Sequence, residues 1–318
     1  MAVRTRATAV LLVLLLTGAP SLVRAQDSDE SFAAFLDSVR VQALATAAAA
    51  DPSYPDAATP AQARALIARA LAGSGVPLSY LDATLADPRA RAIGAVADRF
   101  LNPAGPSAPV PYGQYKSWFL TEKRISEGAA FLKDHDALLE RVRARDGADP
   151  ALLTALVGVE TFYGAAAGTF PVFDALYTVV RKVPRRQAWA AKEAAAFLTM
   201  AYRQGLDAHG VLGSYAGAFG FVQFEPSSYA RFAVDFDGDG RTRIDQWPDA
   251  LGSAAHYLLL AGYDPKAAFD PASAIGRSLY AYNHSDNYVR VILDLRAAIL
   301  ARAAAPGLSA PAARPVSP

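Results

Sequence analysis

One stretch of the 318-residue chain, Ala151-Leu-Leu-Thr-Ala-Leu-Val-Gly-Val-Glu-Thr-Phe-Tyr163, is apolar almost without interruption and carries a single charged side chain, Glu160. Asp149 is a good N-cap, Pro150 suits the first helical position and Gly164 stands where helices stop, so the stretch reads as a buried helix. At 3.6 residues per turn Leu153, Leu156, Val157, Glu160 and Tyr163 share a face, which places the carboxylate inside the apolar stripe. Burial without a cationic partner raises a carboxyl pKa, and the nearest basic residues in sequence, Arg145 and Arg181, lie outside the helix. A carboxylic acid kept protonated near neutral pH is what general-acid cleavage of a glycosidic bond requires. On the helix alone, a place at its rim or a distant arginine partner competes with that reading.

Hydrophobic residues make up 53% of the chain, enough for a substantial core in one large domain or two smaller ones. Lys plus Arg number 31 against 30 Asp plus Glu, and the net charge of +1 gives no reason to expect nucleic acid as a partner. Arg4 and Arg6, an apolar run from Ala9 to Thr17 and Val23-Arg24-Ala25 have the three parts of a secretory signal, which predicts cleavage after Ala25 and export to the periplasm. No later segment offers about 20 uninterrupted apolar residues. The chain has no Cys, which removes disulfides, thiolate metal sites, thiol nucleophiles and lipid attachment after a bacterial signal. The mature protein is therefore expected to be soluble, without a membrane anchor.

After the signal segment 1–25, residues 26–111 read as a few amphipathic helices followed by a Pro-rich connector, Leu101 to Pro111. Residues 112–304 form the main body, with helical periodicity from Ile125 to Arg145, Pro150 to Tyr163, Phe173 to Val180, Ala188 to Tyr202, Asp249 to Ala261 and Tyr288 to Ala304. Short strands are expected between Phe219 and Asp235, where Gly, Phe and Val alternate. The Pro/Ala-rich tail, 305–318, is expected to be disordered. The fold class predicted is mainly α with a small β insertion.

Gly213-Ser-Tyr-Ala-Gly-Ala-Phe-Gly-Phe-Val-Gln-Phe-Glu-Pro-Ser-Ser-Tyr229 mixes glycines, small hydroxyls and aromatics in a short span. Aromatic faces stack on sugar rings while Ser and Gln bind hydroxyl and acetamido groups, so the composition suits a polysaccharide cleft; a buried hairpin fits it too. Tyr280-Ala-Tyr-Asn-His-Ser-Asp-Asn-Tyr288 gathers planar polar side chains just before a helix that Ser285 or Asp286 could cap. Asp235-Phe-Asp-Gly-Asp-Gly-Arg-Thr-Arg-Ile-Asp245 puts carboxylates at positions one, three and five with Gly at six, the opening of an EF-hand-type calcium loop. Gln246 stands at the twelfth position, where a bidentate Glu is normal, and Asp249 could supply that ligand in a longer loop. Hard oxygen ligands favour calcium, read as a structural brace, over a transition metal; a metal-free Asp-Gly turn is the alternative. His135, His209, His256 and His284 lack metal-ligand spacing, and Ser214 lacks a G-x-S-x-G elbow.

Leu156-Val-Gly-Val-Glu-Thr-Phe-Tyr-Gly164, Phe173-Asp-Ala-Leu176, Gly213 to Gly220, Gln223 to Tyr229, Asp235 to Gly240 and Tyr282-Asn-His-Ser-Asp286, in that order, resemble the membrane-bound lytic transglycosylase B family of bacterial peptidoglycan-cleaving enzymes. The resemblance spans roughly Tyr112 to Ala304 and implies a lysozyme-like helical fold with Glu160 as the single catalytic acid. In that family the acid protonates the oxygen between N-acetylmuramic acid and N-acetylglucosamine. As carboxylate it then takes the proton of the muramic 6-hydroxyl, which closes on the anomeric carbon to leave a 1,6-anhydro sugar without consuming water. The substrate's acetamido group replaces the second carboxylate of ordinary glycosidases, and no cofactor is required for the chemistry.

The resemblance further implies substrate contacts from Ser214, Gln223, Tyr282 and Asn283, and from the cleft tyrosines Tyr115, Tyr257 and Tyr288. It implies calcium ligands from Asp235, Asp237, Asp239, the Arg241 carbonyl and Asp249. Phe219 and Glu225 stand where Met is common in relatives, so Glu225 adds a carboxylate near the cleft. The expected partner is the peptidoglycan glycan strand. A hydrolytic muramidase and a non-catalytic wall-binding or scaffold protein are the alternatives.

Overall fold

The helix around Glu160 runs from Pro150 to Thr161 and is enclosed on every side, each residue from Ala151 to Thr161 being buried. The single apolar stripe read from the sequence is thus a helix with no solvent face, as its near-total lack of polar residues requires. The computed structural model describes residues 54–103 and 110–305. The signal segment 1–25, residues 26–53, the middle of the Pro-rich connector and the tail beyond Ala305 lie outside the described residues.

Thirteen α-helices occur among the described residues. The first three are α1 (Pro60–Ala70), α2 (Leu78–Ala86) and α3 (Gly94–Leu101). Next come α4 (Tyr112–Ser117), α5 (Glu122–Asp134), α6 (Asp136–Asp146) and the central α7 (Pro150–Thr161). They are followed by β1 (Phe170–Pro171), α8 (Val172–Lys182), α9 (Gln187–Gln204) and β2 (Leu212–Gly213). The chain closes with α10 (Pro226–Phe232), α11 (Trp247–Leu260), α12 (Ala274–Tyr282) and α13 (Asp286–Ala304).

Helices α5, α6, α11 and α13 surround α7. Asp149 caps α7 by accepting the Leu152 N–H at 2.7 Å and also pairs with Arg296 of α13 at 2.8 Å. One carboxylate therefore starts the central helix and docks the C-terminal helix onto it. A second packed pair, α8 with α9, carries α1 and α3 on its surface. This N-terminal layer is hydrogen-bonded as well as packed. Ile93 N–H donates to Thr178 Oγ1 at 2.8 Å, and Arg181 of α8 takes part in a bond to the Ala58 carbonyl at 2.8 Å. His209 bridges Asp174 of α8 and the Thr84 carbonyl of α2, at 3.2 and 3.1 Å.

Three sequence expectations are corrected. The single helix from Ile125 to Arg145 is two, divided at His135, which closes α5 and opens α6. Its ring lies 4.2 Å from that of Phe131 and 5.5 Å from that of Trp247, so aromatic packing holds the break. Helices α4 and α12 were not anticipated; α12 is fixed by Ser273, whose hydroxyl accepts the Gly276 N–H. Strands between Phe219 and Asp235 are absent, because Pro226 opens α10 there and Phe219 makes only isolated bridges to Gly213 and Phe224. The β structure is instead a two-residue antiparallel ladder, Phe170 opposite Gly213 and Pro171 opposite Leu212. Where the chain passes into this ladder, Gly168 has φ +113° and a Cβ there would lie 2.1 Å from the carbonyl carbon of Gly213, so only glycine permits the approach.

Candidate active site

Glu160 lies in the last turn of α7, and the chain leaves that helix through three successive left-handed residues: Phe162 (φ +50°), Tyr163 (φ +57°) and Gly164 (φ +87°). Only the third is a glycine, so the turn stores strain at two ordinary side chains. Gln223, at φ +50°, is the third non-glycine residue in this region of backbone space among the described residues, and it sits on the same cavity as Glu160. The cavity has a volume of about 460 Å³, and its wall includes Glu160, Gln223, Glu225, Tyr257, Tyr282 and Asn283. Residues far apart in the sequence thus converge on one concave site.

Glu160 is 7% exposed and takes part in no ion pair among the described residues. Its Oε1 accepts a hydrogen bond from the Tyr288 hydroxyl at 2.5 Å. Burial raises its pKa from 4.5 to about 7, while the Tyr288 bond works in the opposite direction. Tyr115, Tyr282 and Tyr288 stand close enough for the Glu160 charge, added to their own burial, to push their hydroxyls above the ordinary tyrosine range. The carboxyl group therefore sits in a tyrosine cage at the cavity wall, its pKa raised towards neutrality by burial, and can both give and take a proton there.

Tyr282 donates to the Val222 carbonyl and Tyr257 to the Ala281 carbonyl, so both rings are locked. They meet edge to face at 4.7 Å, and Tyr282 stacks on Tyr288 at 6.4 Å, forming an aromatic wall. Gln223 donates Nε2 to the Ala167 and Gly220 carbonyls, both at 2.9 Å, leaving Oε1 as its end without a partner among the described residues. Asn283 is 9% exposed, and its Oδ1 likewise lacks a partner among the described residues.

Three residues expected at the cleft are off the cavity wall, Tyr288 among them, which is 2% exposed and bonded to Glu160. Ser214 is off the cavity wall, its hydroxyl accepting the Ala218 and Ala216 N–H groups at 3.1 and 3.3 Å to brace its own loop. Tyr115 is buried among Trp118 and Phe119 and is also off the wall. Conversely, Trp189 and Glu193 of α9, Ser227, Ser228 and His284 line the cavity without having been singled out. Their spacing held a signal: Trp189 and Glu193 are one helical turn apart, on one face of a helix otherwise rich in alanine.

In the acidic loop the carboxylates of Asp235, Asp237 and Asp239 converge within 4.8 Å of one another and are exposed. Asp235 accepts the Gly238 and Gly240 N–H groups, and Asp239 accepts the Arg241 N–H at 2.8 Å, which curls the loop around the three acids. Asp249 is outside that group. It is 2% exposed and accepts the Phe236 N–H at 2.8 Å and the Arg243 N–H, tying the two sides of the loop together from behind. A convergent set of hard carboxylate oxygens fits a cation such as calcium, with Asp249 as the brace of the loop.

The Transglycosylase SLT domain family matches residues 59–275, and the chain belongs to that family. Over 161 residues the chain is 35% identical to membrane-bound lytic murein transglycosylase B of Escherichia coli strain K12. The alignment covers 51% of this chain and 44% of that protein, so it spans less than half the length of this curated relative. The Escherichia coli lytic transglycosylase SLT35, solved in complex with calcium, superposes with a TM-score of 0.67 at 25% identity, covering 76% of this chain and 93% of that one. The soluble lytic transglycosylase SltB1 of Pseudomonas aeruginosa gives 0.68 at 26% identity, covering 76% and 100%. The mainly helical, lysozyme-like fold expected from the sequence is the fold of these proteins. Among the described residues no helix is long and apolar enough to cross a membrane.

Proposed function

We propose that the protein is a peptidoglycan lytic transglycosylase in which Glu160 acts first as acid and then as base. The observation that carries this reading is the buried carboxyl of Glu160 on the cavity wall, raised to a pKa of about 7 and held through one oxygen by Tyr288. Protonated Glu160 gives its proton to the oxygen between N-acetylmuramic acid and N-acetylglucosamine as the bond to the anomeric carbon breaks. The resulting carboxylate accepts the proton of the muramic 6-hydroxyl while that oxygen bonds to the same carbon, so the acid is regenerated and no water enters. The donor–acceptor balance of a group with a pKa near the working pH suits both halves. Tyr257 and Tyr282 offer faces for sugar rings, Gln223 and Asn283 offer polar ends, and Ser214 and Tyr115 act through the loop and cage they support.

The loop of Asp235, Asp237 and Asp239 is proposed to hold structural calcium, with the Arg241 carbonyl as a further ligand and Asp249 bracing it; the calcium complex of SLT35 supports this. The proposed workplace is the periplasm, reached through the signal-type segment 1–25. Residues 112–304 are proposed as the catalytic unit, with the described residues 54–103 contributing the layer docked on α8 and α9. A hydrolytic muramidase is the second reading, favoured by the further carboxyls Glu193 and Glu225 on the same cavity. The test is release of sugars from peptidoglycan by Glu160→Gln: turnover should fall by several orders of magnitude while glycan binding persists, and near-normal release would sink the assignment.

A further inference from the structure

Two acids on the cavity wall have no part in the chemistry assigned to Glu160. Glu193 is 5% exposed and accepts the Ser227 N–H at 2.9 Å; Glu225 precedes α10 and is partly buried. Neither forms an ion pair among the described residues, and neither does Glu160. Three carboxyl groups therefore share one cavity of about 460 Å³ without a paired cation. Arg231 also lines it, but its guanidinium lies 4.9 Å from the centre of the Phe232 ring, and that of Arg186 lies over Trp189 at 5.9 Å. Glu225 is pushed up to about 7, first by burial and then by the charge of Glu193, while the Trp189 indole and Arg186 work the other way.

A desolvated carboxylate is costly until an opposite charge joins it. A second observation points the same way: Asn283, on the wall of this cavity, is nine-tenths buried, and its buried Oδ1 lacks a donor among the described residues. The wall is rich in acceptors, and the complementary ligand brings donors and positive charge. Trp189 stands beside Glu225, with its ring 6.2 Å from that of Phe100 on α3, so the N-terminal layer backs this part of the wall.

We propose that Glu225, with Glu193 beside it, is a specificity-determining residue that favours glycan strands carrying a primary ammonium group close to the bond held at Glu160. This rests on the reading of the cavity as a glycan cleft. The ammonium can be borne by an N-deacetylated amino sugar or by a peptide attached to the strand, and the two sources share the same recognition chemistry.

Calorimetric binding to the Glu160→Gln protein, which removes turnover from the measurement, tests the proposal. One arm compares the glucosamine tetramer with the N-acetylglucosamine tetramer. The other compares an N-acetylated tetrasaccharide carrying a lysine-containing peptide before and after acetylation of its amines. The expected result is a preference of about tenfold or more for the free amine in one arm, the size of a charge-assisted hydrogen bond, and the arm that displays it identifies the source. Adding Glu225→Gln, or Glu225→Met, should abolish the preference, and continued binding of the neutral tetramer by those variants certifies the fold. Equal affinities in both arms, or a preference that survives both Glu225 variants, overturns the proposal. Binding of no tetramer at all would sink the glycan reading itself, and this inference with it.

Discussion

Replacing Glu160 by Gln should stabilise the protein at alkaline pH, in proportion to the pKa displacement that equips the residue for catalysis. Folding moves the carboxyl from 4.5 to about 7, so the folded chain resists an ionisation that the unfolded chain undergoes freely. The stability associated with the protonated group is intact below about pH 4.5, is lost as pH rises towards 7, and stays lost above it. At 1.36 kcal/mol per pH unit the full loss is about 3 kcal/mol. Gln carries no charge and retains an oxygen able to accept the Tyr288 hydroxyl, so the variant escapes this loss. Thermal unfolding of both proteins should give matching Tm values near pH 4 and a variant higher by on the order of 5–10 °C at pH 9. Glu225 titrates in the same range but is common to both proteins, so the difference isolates Glu160. Equal Tm values at pH 9 would mean that Glu160 ionises without penalty, and the argument from its burial would fail.

Tyr288→Phe removes the bond that holds the Glu160 pKa down, so the alkaline fall in kcat/KM, which follows loss of the acid form, should move to higher pH and the plateau should drop about tenfold. An alkaline limb that stays in place would contradict the assignment of that limb to Glu160. Gly168→Ala drives a Cβ into the Gly213 carbonyl and should cost about 3 kcal/mol or more, read from denaturant unfolding; a loss below about 1 kcal/mol would show that the ladder yields easily. Calcium at about 100 times its Kd should stabilise the wild-type protein by about 2.7 kcal/mol relative to chelator and leave Asp237→Asn largely unaffected. Equal Tm values with calcium and chelator would remove the metal from the account.

The central helix was the most legible part of the chain, because Asp149, Pro150 and the largely apolar run from Ala151 to Val159 point to one answer at the levels of capping, propensity and burial. Ser285 was legible for the same reason, its side chain accepting the Tyr288 N–H as an N-cap should. The partner of Glu160 was not: Tyr288 is 128 residues away, and its bond depends on how α13 lies across α7. The misplacement of Ser214 has a local cause, since a hydroxyl among glycines serves either a ligand or its own turn, and the backbone N–H groups of Ala216 and Ala218 take it first. The break at His135 was hidden because nothing in the helical periodicity of 125–145 interrupts there; the cause is packing against Phe131 and Trp247. The acidic loop was half legible. Three of its carboxylates converge as the spacing implies, whereas Asp249 joins backbone groups because its α-helix carries it beneath the loop.

The most direct measurement is the mass of the sugars that the protein, purified from Gln26 onward, releases from peptidoglycan sacculi. Products one water lighter than those of hydrolysis, ending in 1,6-anhydromuramic acid, are the result predicted for Glu160 serving as acid and then base. Reducing ends of full hydrolytic mass would contradict that account and make water the acceptor.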